Sequence, residues 1–130
     1  KNIRKHLIHY VTNRLVKDND IIVMEDLDIK NMYQTHRVAK SLTNIPLAEV
    51  KRVLEYKCKW QNKKLLTINR YYPSSQVCSV CGYQNKEVKD LNIRRWECPK
   101  CSSLHDRDIN ASVNIMFEGL KMYMQSLVLK

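Results

Sequence analysis

The chain has 130 residues, 44% of them apolar, and its 23 basic side chains outnumber 13 acidic ones to give a formal net charge of +10. That length allows one domain with a small satellite, and the lack of an apolar run of about 18 residues argues against a transmembrane helix. The positive charge favours a polyanionic partner, above all nucleic acid. Because the basic residues are spread along the chain, a solvated basic surface would give the same totals.

The first half of the chain predicts two helix–strand pairs. Apolar residues at helical spacing predict an amphipathic helix over 2–17, and the apolar run 21–24 predicts a strand buried on both faces, as in a parallel sheet. A second apolar stripe predicts a helix over 46–62, and residues 65–68 predict another strand. The polar stretch 29–44 is typical of a loop or a frayed helix. The apolar side of the first helix is formed by Ile3, Leu7, Tyr10, Val11 and Leu15.

Acidic residues collect where the first predicted strand ends. Glu25, Asp26 and Asp28 follow the apolar run directly. Functional groups in open α/β sheets gather at the carboxyl ends of strands. Acids also end strands and solvate turns without any function, and on the residues alone this simpler interpretation is favoured.

Basic residues crowd the second predicted helix and recur near the end of the chain. A face of this kind either contacts phosphates or is merely solvated. The residues predicted to contact nucleic acid are Lys51, Arg52, Lys59, Lys63, Arg94, Arg95 and Arg107.

Four cysteines form two C-x2-C pairs, Cys78/Cys81 and Cys98/Cys101, with sixteen residues between the pairs. This spacing is typical of two knuckles that face one zinc ion, and four thiolates leave no open position, which indicates a structural site. Two disulfides would suit a secreted chain but would leave Cys58 unpaired, and a redox C-x2-C would need only one pair. Cys58 is predicted to be a small core residue.

A final helix is predicted to run to about residue 125. Its apolar positions begin at Ile109, and Asp108 is predicted at its N-cap, with Asp106 as a helper. Aspartate caps helices well, so capping alone would explain Asp108.

Three segments resemble one known family. IIVMEDLDIKNM, EYKCKWQNKKLLTINRYYPSSQVCSVCG and CPKCSSLHDRDINASVNI are similar to the C-terminal region of TnpB-type proteins, which are transposon-encoded RNA-guided nucleases related to type V CRISPR effectors. The resemblance covers nearly the whole chain, in the family's order.

The resemblance implies an α/β fold: the C-terminal part of a RuvC-like nuclease of RNase H architecture, with an inserted zinc ribbon. Residues 1–73 would be a partial nuclease domain, 74–106 the zinc ribbon and 107–130 the last helix. Three acids of the family hold two divalent metals, Mg²⁺ or Mn²⁺. The second of these acids corresponds to Glu25 and the third to Asp108.

The resemblance also implies the partners and the setting. DNA and a guide RNA are the expected partners, with neither a membrane nor a small-molecule substrate, in the cytoplasm near the nucleoid. The family's first acid lies upstream of the matched region, and residues 1–24 offer only Asp18 and Asp20, which lie in a turn. We therefore expect the chain to be inactive alone and to need the N-terminal part of the nuclease. The alternatives are a non-enzymatic zinc-ribbon module that binds nucleic acid and an inactive transposase fragment.

Overall fold

The computed structural model describes residues 2–26 and 47–128, so the stretch 29–44, predicted as a loop or frayed helix, lies outside the described residues. The described part combines helices and strands, as predicted. None of its three α-helices has the length and apolar character that a membrane span requires. In chain order the elements are α1 (Asn2–Asp18), β1 (Ile21–Glu25), α2 (Leu47–Trp60), β2 (Lys64–Ile68), a short 3₁₀ helix (Lys86–Lys89), β3 (Arg95–Glu97), β4 (Leu104–Asp106) and α3 (Arg107–Val128).

The chain divides into two compact units. One consists of Lys1–Ile22 with Asp26–Leu66, and the other of Val23–Glu25 with Thr67–Lys130. β1 and β2 pair into a two-stranded sheet, and the division between the units passes through both strands. β1 is half-buried along its length, so it is less enclosed than the apolar run predicts.

In the first unit α1 packs against α2 through a row that mixes apolar and polar residues. The buried side chains of α1 are Ile8, Thr12 and Val16, spaced four residues apart. The Thr12 hydroxyl donates to the Ile8 carbonyl at 2.7 Å and accepts a hydrogen bond from Lys57 Nζ at 2.8 Å. Lys57 is only 7% exposed, and this burial lowers its pKa.

The apolar side predicted for α1 is instead exposed: Ile3 is 84% exposed and Leu7 60%. The prediction ranked helix faces by apolar side chains alone. The face that is buried has a threonine at its centre, and that hydroxyl is satisfied by the helix's own backbone, so it enters the interior at little cost. α1 therefore has two adjacent apolar faces, of which one packs within this unit.

The second unit consists of a small cysteine-rich ribbon and the long helix α3. β3 and β4 pair in antiparallel fashion, with Trp96 opposite His105. The buried cluster of the ribbon contains Val88 and Trp96 together with Cys78 and Cys98. So few apolar side chains give the ribbon little core of its own.

Helix α3 approaches β1 closely at Gly119. A methyl group at this position would overlap the side chain of Val23, with its Cβ 2.8 Å from Val23 Cγ2 and 3.1 Å from Val23 Cβ. Glycine is unfavourable inside a helix by about 1 kcal/mol relative to alanine. The contact with β1 accounts for the glycine here.

We expect Gly119→Ala to lower the free energy of unfolding by about 1–2 kcal/mol, because overpacking outweighs the gain in helix propensity. Denaturant unfolding of the single variants and of the double variant with Val23→Ala measures the coupling between the two positions. The double variant should recover part of the loss, since Val23→Ala removes both overlapping methyl groups. Strict additivity of the two changes would contradict the proposed contact.

Candidate metal centre and acidic residues

The two C-x2-C pairs bring four sulfur atoms together. The four Sγ atoms lie within 4.8 Å of one another, with Cys78 and Cys101 3.6 Å apart and Cys81 and Cys98 also 3.6 Å apart. Four sulfurs about 2.3 Å from a zinc ion at tetrahedral angles stand about 3.8 Å apart. The predicted cysteine cluster is confirmed, and it could bind a metal such as zinc.

Each knuckle is a tight turn closed by backbone hydrogen bonds. The Gly82 N–H donates to the Cys78 carbonyl and the Ser102 N–H to the Cys98 carbonyl, both at 2.8 Å. Both turns place a residue in the left-handed region, with φ of 84° at Gly82 and 64° at Ser102. The first turn uses a glycine, whereas the second accepts the cost of a Cβ.

Two polar side chains that the sequence analysis did not single out contact the sulfurs. Ser103 Oγ lies 3.0 Å from Cys101 Sγ and 3.3 Å from Cys78 Sγ, and His105 Nε2 lies 3.0 Å from Cys78 Sγ. Both lie within four residues of Cys101, and this closeness in sequence could have indicated that they contact the cysteine cluster.

Hydrogen bonding makes the cysteines unequal. Burial raises the pKa of Cys78, but hydrogen bonds from Ser103, from backbone N–H groups and from His105 together lower it to about 5. Hydrogen bonds from Ser103 lower the pKa of Cys101 too. The pKa of Cys81 rises to about 12: its backbone hydrogen bond at Tyr83 lowers it, but burial and the neighbouring cysteine sulfurs outweigh that effect. The hydrogen bonds at Cys78 and Cys101 favour their thiolates, which are the form of cysteine that binds a metal.

Helix α3 holds the ribbon through buried polar side chains. Asn114 Nδ2 donates to the carbonyls of Ser74 and Val77 at 2.8 and 2.7 Å. Asn110 Nδ2 donates to the Val77 carbonyl at 2.7 Å, while its Oδ1 accepts from the Ser79 N–H at 3.0 Å. These bonds fix the segment that leads into Cys78.

Arg107 is placed differently from the prediction of a nucleic-acid contact. It is only 7% exposed, and its guanidinium donates to the carbonyls of Val88, Asp90 and Ile93 and to Ser75 Oγ. A guanidinium with its donors committed to buried protein carbonyls is unavailable to phosphates. Its role here is to tie the ribbon to the start of α3.

The cap of α3 is Asp106, not Asp108. Asp106 Oδ1 accepts from the N–H groups of Asp108 and Ile109 at 3.0 and 3.1 Å, and α3 begins at Arg107. Asp108 therefore lies in the first turn, and capping does not explain its carboxylate. That carboxylate is 73% exposed and pairs with Arg94 of the ribbon, with 2.5 Å between Oδ2 and the guanidinium.

Glu25 lies in the same compact unit as Asp108. It is half-buried, and its Oε1 accepts a hydrogen bond from the Ser74 hydroxyl at 2.6 Å. Ser74 is itself buried and bound through its carbonyl to Asn114, so Glu25 is held by a fixed partner. Within residues 2–26 and 47–128 the four cysteines are the one group of three or more side chains arranged to hold a metal, so Glu25 and Asp108 do not complete such a group there.

Most of the predicted basic contacts are on the surface, and several are paired with acids. Arg52 pairs with Glu49 at 2.5 Å, and this hydrogen bond lowers the pKa of Glu49. The other predicted residues differ in pairing: Lys51 lies 3.8 Å from Asp26 and Lys63 3.0 Å from Asp20, whereas Lys59 and Arg95 are exposed.

Comparison with known proteins identifies one matching family model and several similar proteins. A family model described as Cas12f1-like, TNB domain matches residues 48–115, more than half of the chain. A protein of Streptomyces pristinaespiralis, provisionally named an RNA-guided DNA endonuclease, is 38% identical over 117 residues, which are 90% of this chain and 29% of that protein. TnpB-like protein L79 of Acanthamoeba polyphaga mimivirus is 30% identical over 128 residues, 92% of this chain and 24% of the relative.

A similar fold occurs in a solved structure, a cryo-EM structure of a Cas12f1–sgRNA–target DNA complex. The TM-score is 0.66 at 24% identity, and the match covers 88% of this chain and 33% of the other. This likeness is one of fold. The chain spans about a quarter to a third of the length of the proteins it matches.

We expect the purified chain to hold one zinc ion, and Cys98→Ser to lose it and unfold the ribbon, because so small a module has little core without metal. Elemental analysis and thermal melting measure both effects. Cys58→Ala is the matched control: this buried cysteine lies in α2, outside the cluster, and the metal content should not change. A folded ribbon in metal-free Cys98→Ser protein would contradict the assignment.

Proposed function

Because the chain belongs to the Cas12f1-like TNB-domain family and is a TnpB-type protein, we propose that it is the C-terminal RuvC-like and zinc-ribbon segment of an RNA-guided DNA endonuclease. The observation that carries this proposal is that one compact unit contains the cysteine cluster together with Glu25 and Asp108. The proposed activity is taken from the names of the relatives. The residues proposed to carry it out are those that this unit brings together.

The four-cysteine cluster suits a structural zinc ion. Thiolates are soft ligands that zinc accepts in a closed tetrahedral set, and the sulfur separations agree with such a set. A bound zinc would cross-link the two C-x2-C knuckles and would take no part in catalysis. The ribbon would then be a rigid body, tied to α3 by Asn110, Asn114 and Arg107.

Glu25 and Asp108 are the proposed catalytic acids. When bound by a full set of carboxylates, Mg²⁺ or Mn²⁺ supplies an activated water and charge stabilisation for phosphodiester hydrolysis. The Ser74 hydroxyl orients Glu25 by donating to one of its oxygens. Asp106 takes over the capping of α3 and so leaves the Asp108 carboxylate available to a ligand or to Arg94.

Nucleic acid is the proposed partner. The net charge of +10 favours a polyanion, and Lys59 and Arg95 present exposed charges to solvent. Contacts of this kind bind phosphates and carry little sequence information. We propose DNA and a guide RNA as ligands of the whole protein, acting at the nucleoid.

Further parts of the protein are proposed to cover α1. Its exposed apolar row includes Ile3, Leu7 and Val11, and a contiguous apolar patch of this kind is unusual on a surface that faces only solvent. The relatives are about three to four times longer than this chain. A covering element from the rest of the nuclease would explain both observations. The family resemblance implies that this remaining part also carries the third acid.

A second candidate is a module that binds nucleic acid without cutting it. It is favoured by the Arg94–Asp108 pair and by the absence of a three-acid group among residues 2–26 and 47–128. The two candidates differ in one measurable respect, cleavage by the full-length protein.

We expect the zinc-loaded chain to bind short DNA and RNA with an affinity that falls steeply between about 50 and 200 mM salt, since each neutralised phosphate releases a counterion. Arg95→Gln should lower the slope of log affinity against log salt by about 1. Arg52→Gln, at a side chain already paired with Glu49, is the matched control and should change the slope less. Fluorescence anisotropy measures both, and an affinity independent of salt would contradict nucleic-acid binding.

We expect the isolated chain not to cut DNA with Mg²⁺ or Mn²⁺, and the full-length protein with its guide RNA to do so. In the full-length protein Glu25→Gln and Asp108→Asn should each reduce cleavage below detection and leave binding nearly intact, because each removes a metal-binding charge and not a phosphate contact. Gel-based cleavage and binding assays measure the two effects.

The matched control is Asp106→Asn, since asparagine caps helices as well as aspartate does and α3 should still begin at Arg107. Cleavage by Asp106→Asn but not by Asp108→Asn would identify the acid within the pair. Full cleavage by Asp108→Asn would contradict its assignment, and no cleavage by the wild-type full-length protein would favour the binding module.

A further inference from the structure

The polar side chains that contact the cysteine cluster all contact Cys78 or Cys101. Ser103 Oγ lies 3.0 Å from Cys101 Sγ, 3.3 Å from Cys78 Sγ and 3.0 Å from His105 Nε2. His105 Nε2 in turn lies 3.0 Å from Cys78 Sγ. In the described ranges no hydroxyl or ring N–H contacts Cys81 or Cys98 in this way.

The number of protons on Ser103 Oγ and His105 Nε2 determines which group donates to which sulfur. Metal-bound thiolates only accept hydrogen bonds, whereas a serine hydroxyl has one proton to give and a histidine Nε2 at most one. A single arrangement provides both thiolates with a side-chain donor. In it His105 Nε2–H donates to Cys78 Sγ, and the Ser103 hydroxyl donates to Cys101 Sγ.

We propose that Ser103 and His105 are positioning residues of the metal centre, which donate one hydrogen bond each to the Cys101 and Cys78 thiolates and so slow the loss of zinc. This inference rests on the proposed zinc site and extends it to two further residues. It also assigns the tautomer of His105, with its proton on Nε2.

The need for a donor differs between the two sulfurs. Cys78 is buried, so its thiolate is costly unless hydrogen bonds offset the lost hydration, and the His105 donor adds to those of the backbone. Cys101 is exposed, and its thiolate lone pairs are open to protons and alkylating agents. A hydrogen bond from Ser103 occupies one of those lone pairs and lowers the reactivity of the sulfur.

The backbone holds both donors in place independently of the metal. The Ser103 carbonyl accepts from the Cys98 N–H at 2.9 Å, which closes the second knuckle. His105 lies opposite Trp96 in the hairpin, with the ring centroids 4.7 Å apart. Only 9% of His105 is exposed, so the ring has little room to turn away from Cys78.

The experiment uses the zinc-loaded 130-residue chain and measures the rate at which zinc passes to a chromophoric chelator. Ser103→Ala and His105→Phe should bind zinc but release it about tenfold or more faster, in keeping with the usual effect of removing a partner of a metal ligand. Ser102→Ala makes the same chemical change one residue away and should release zinc at the wild-type rate. His105→Gln keeps an N–H donor and should restore part of the loss.

Two measurements remain informative should a variant fail to fold. Nitrogen-15 NMR of the zinc-loaded wild type should show the His105 proton on Nε2, and a proton on Nδ1 alone would overturn the proposal. Brief alkylation followed by peptide mapping should label Cys101 faster in Ser103→Ala than in Ser102→Ala. Equal rates of zinc release and of labelling in Ser103→Ala and Ser102→Ala would overturn the proposed role of Ser103 and His105 while leaving the zinc site intact. A wild-type chain without zinc would overturn both the role and the site.

Discussion

The ribbon depends on polar contacts to α3, because it has too few apolar side chains to fix itself. Arg107, Asn110 and Asn114 point donors at backbone carbonyls between Ser74 and Ile93. These carbonyls lie outside the α-helices and the four β-strands, so no long hydrogen-bond ladder includes them. A buried carbonyl without a donor would cost about 1–3 kcal/mol. Loss of Arg107 would remove one donor from three carbonyls at once. Loss of either asparagine would leave the Val77 carbonyl paired with the other one.

The same contacts connect the cysteine cluster to the proposed catalytic acids. Ser74 lies at the junction: its carbonyl is held by Asn114 and its hydroxyl by Glu25. On the other side, β4 runs from the contacts around Cys101 directly into the cap of α3. A metal bound at the cysteines would stiffen the supports of both acids without touching either one.

The sequence predicted the order and approximate bounds of the three α-helices and of β1 and β2, because each has a strong period or a clear stop signal. It predicted no bounds for the 3₁₀ helix, β3 and β4 within the ribbon. The four cysteines were predicted for a similar reason, since their spacing alone limits the geometry. The buried face of α1 was missed because Thr12 reduces its apolar score, although the hydroxyl is satisfied locally. Burial of Arg107 had no signature at all, since the carbonyls that bind it lie 14 to 19 residues away in sequence. The cap was wrong by two residues because two aspartates two positions apart both suit a helix start, and only geometry separates them.

The burial of Cys58 limits which cysteines of this chain an oxidant can reach. Burial raises the pKa of its thiol, so the sulfur is neither accessible nor ionised. The remaining four of the five cysteines all belong to the cluster. An oxidant such as a peroxide would thus act first on the ribbon, where conversion of a thiolate to a sulfenic acid removes a metal ligand. The result would be release of the metal and loosening of the ribbon, while the packing of α1 against α2 would stay unaffected.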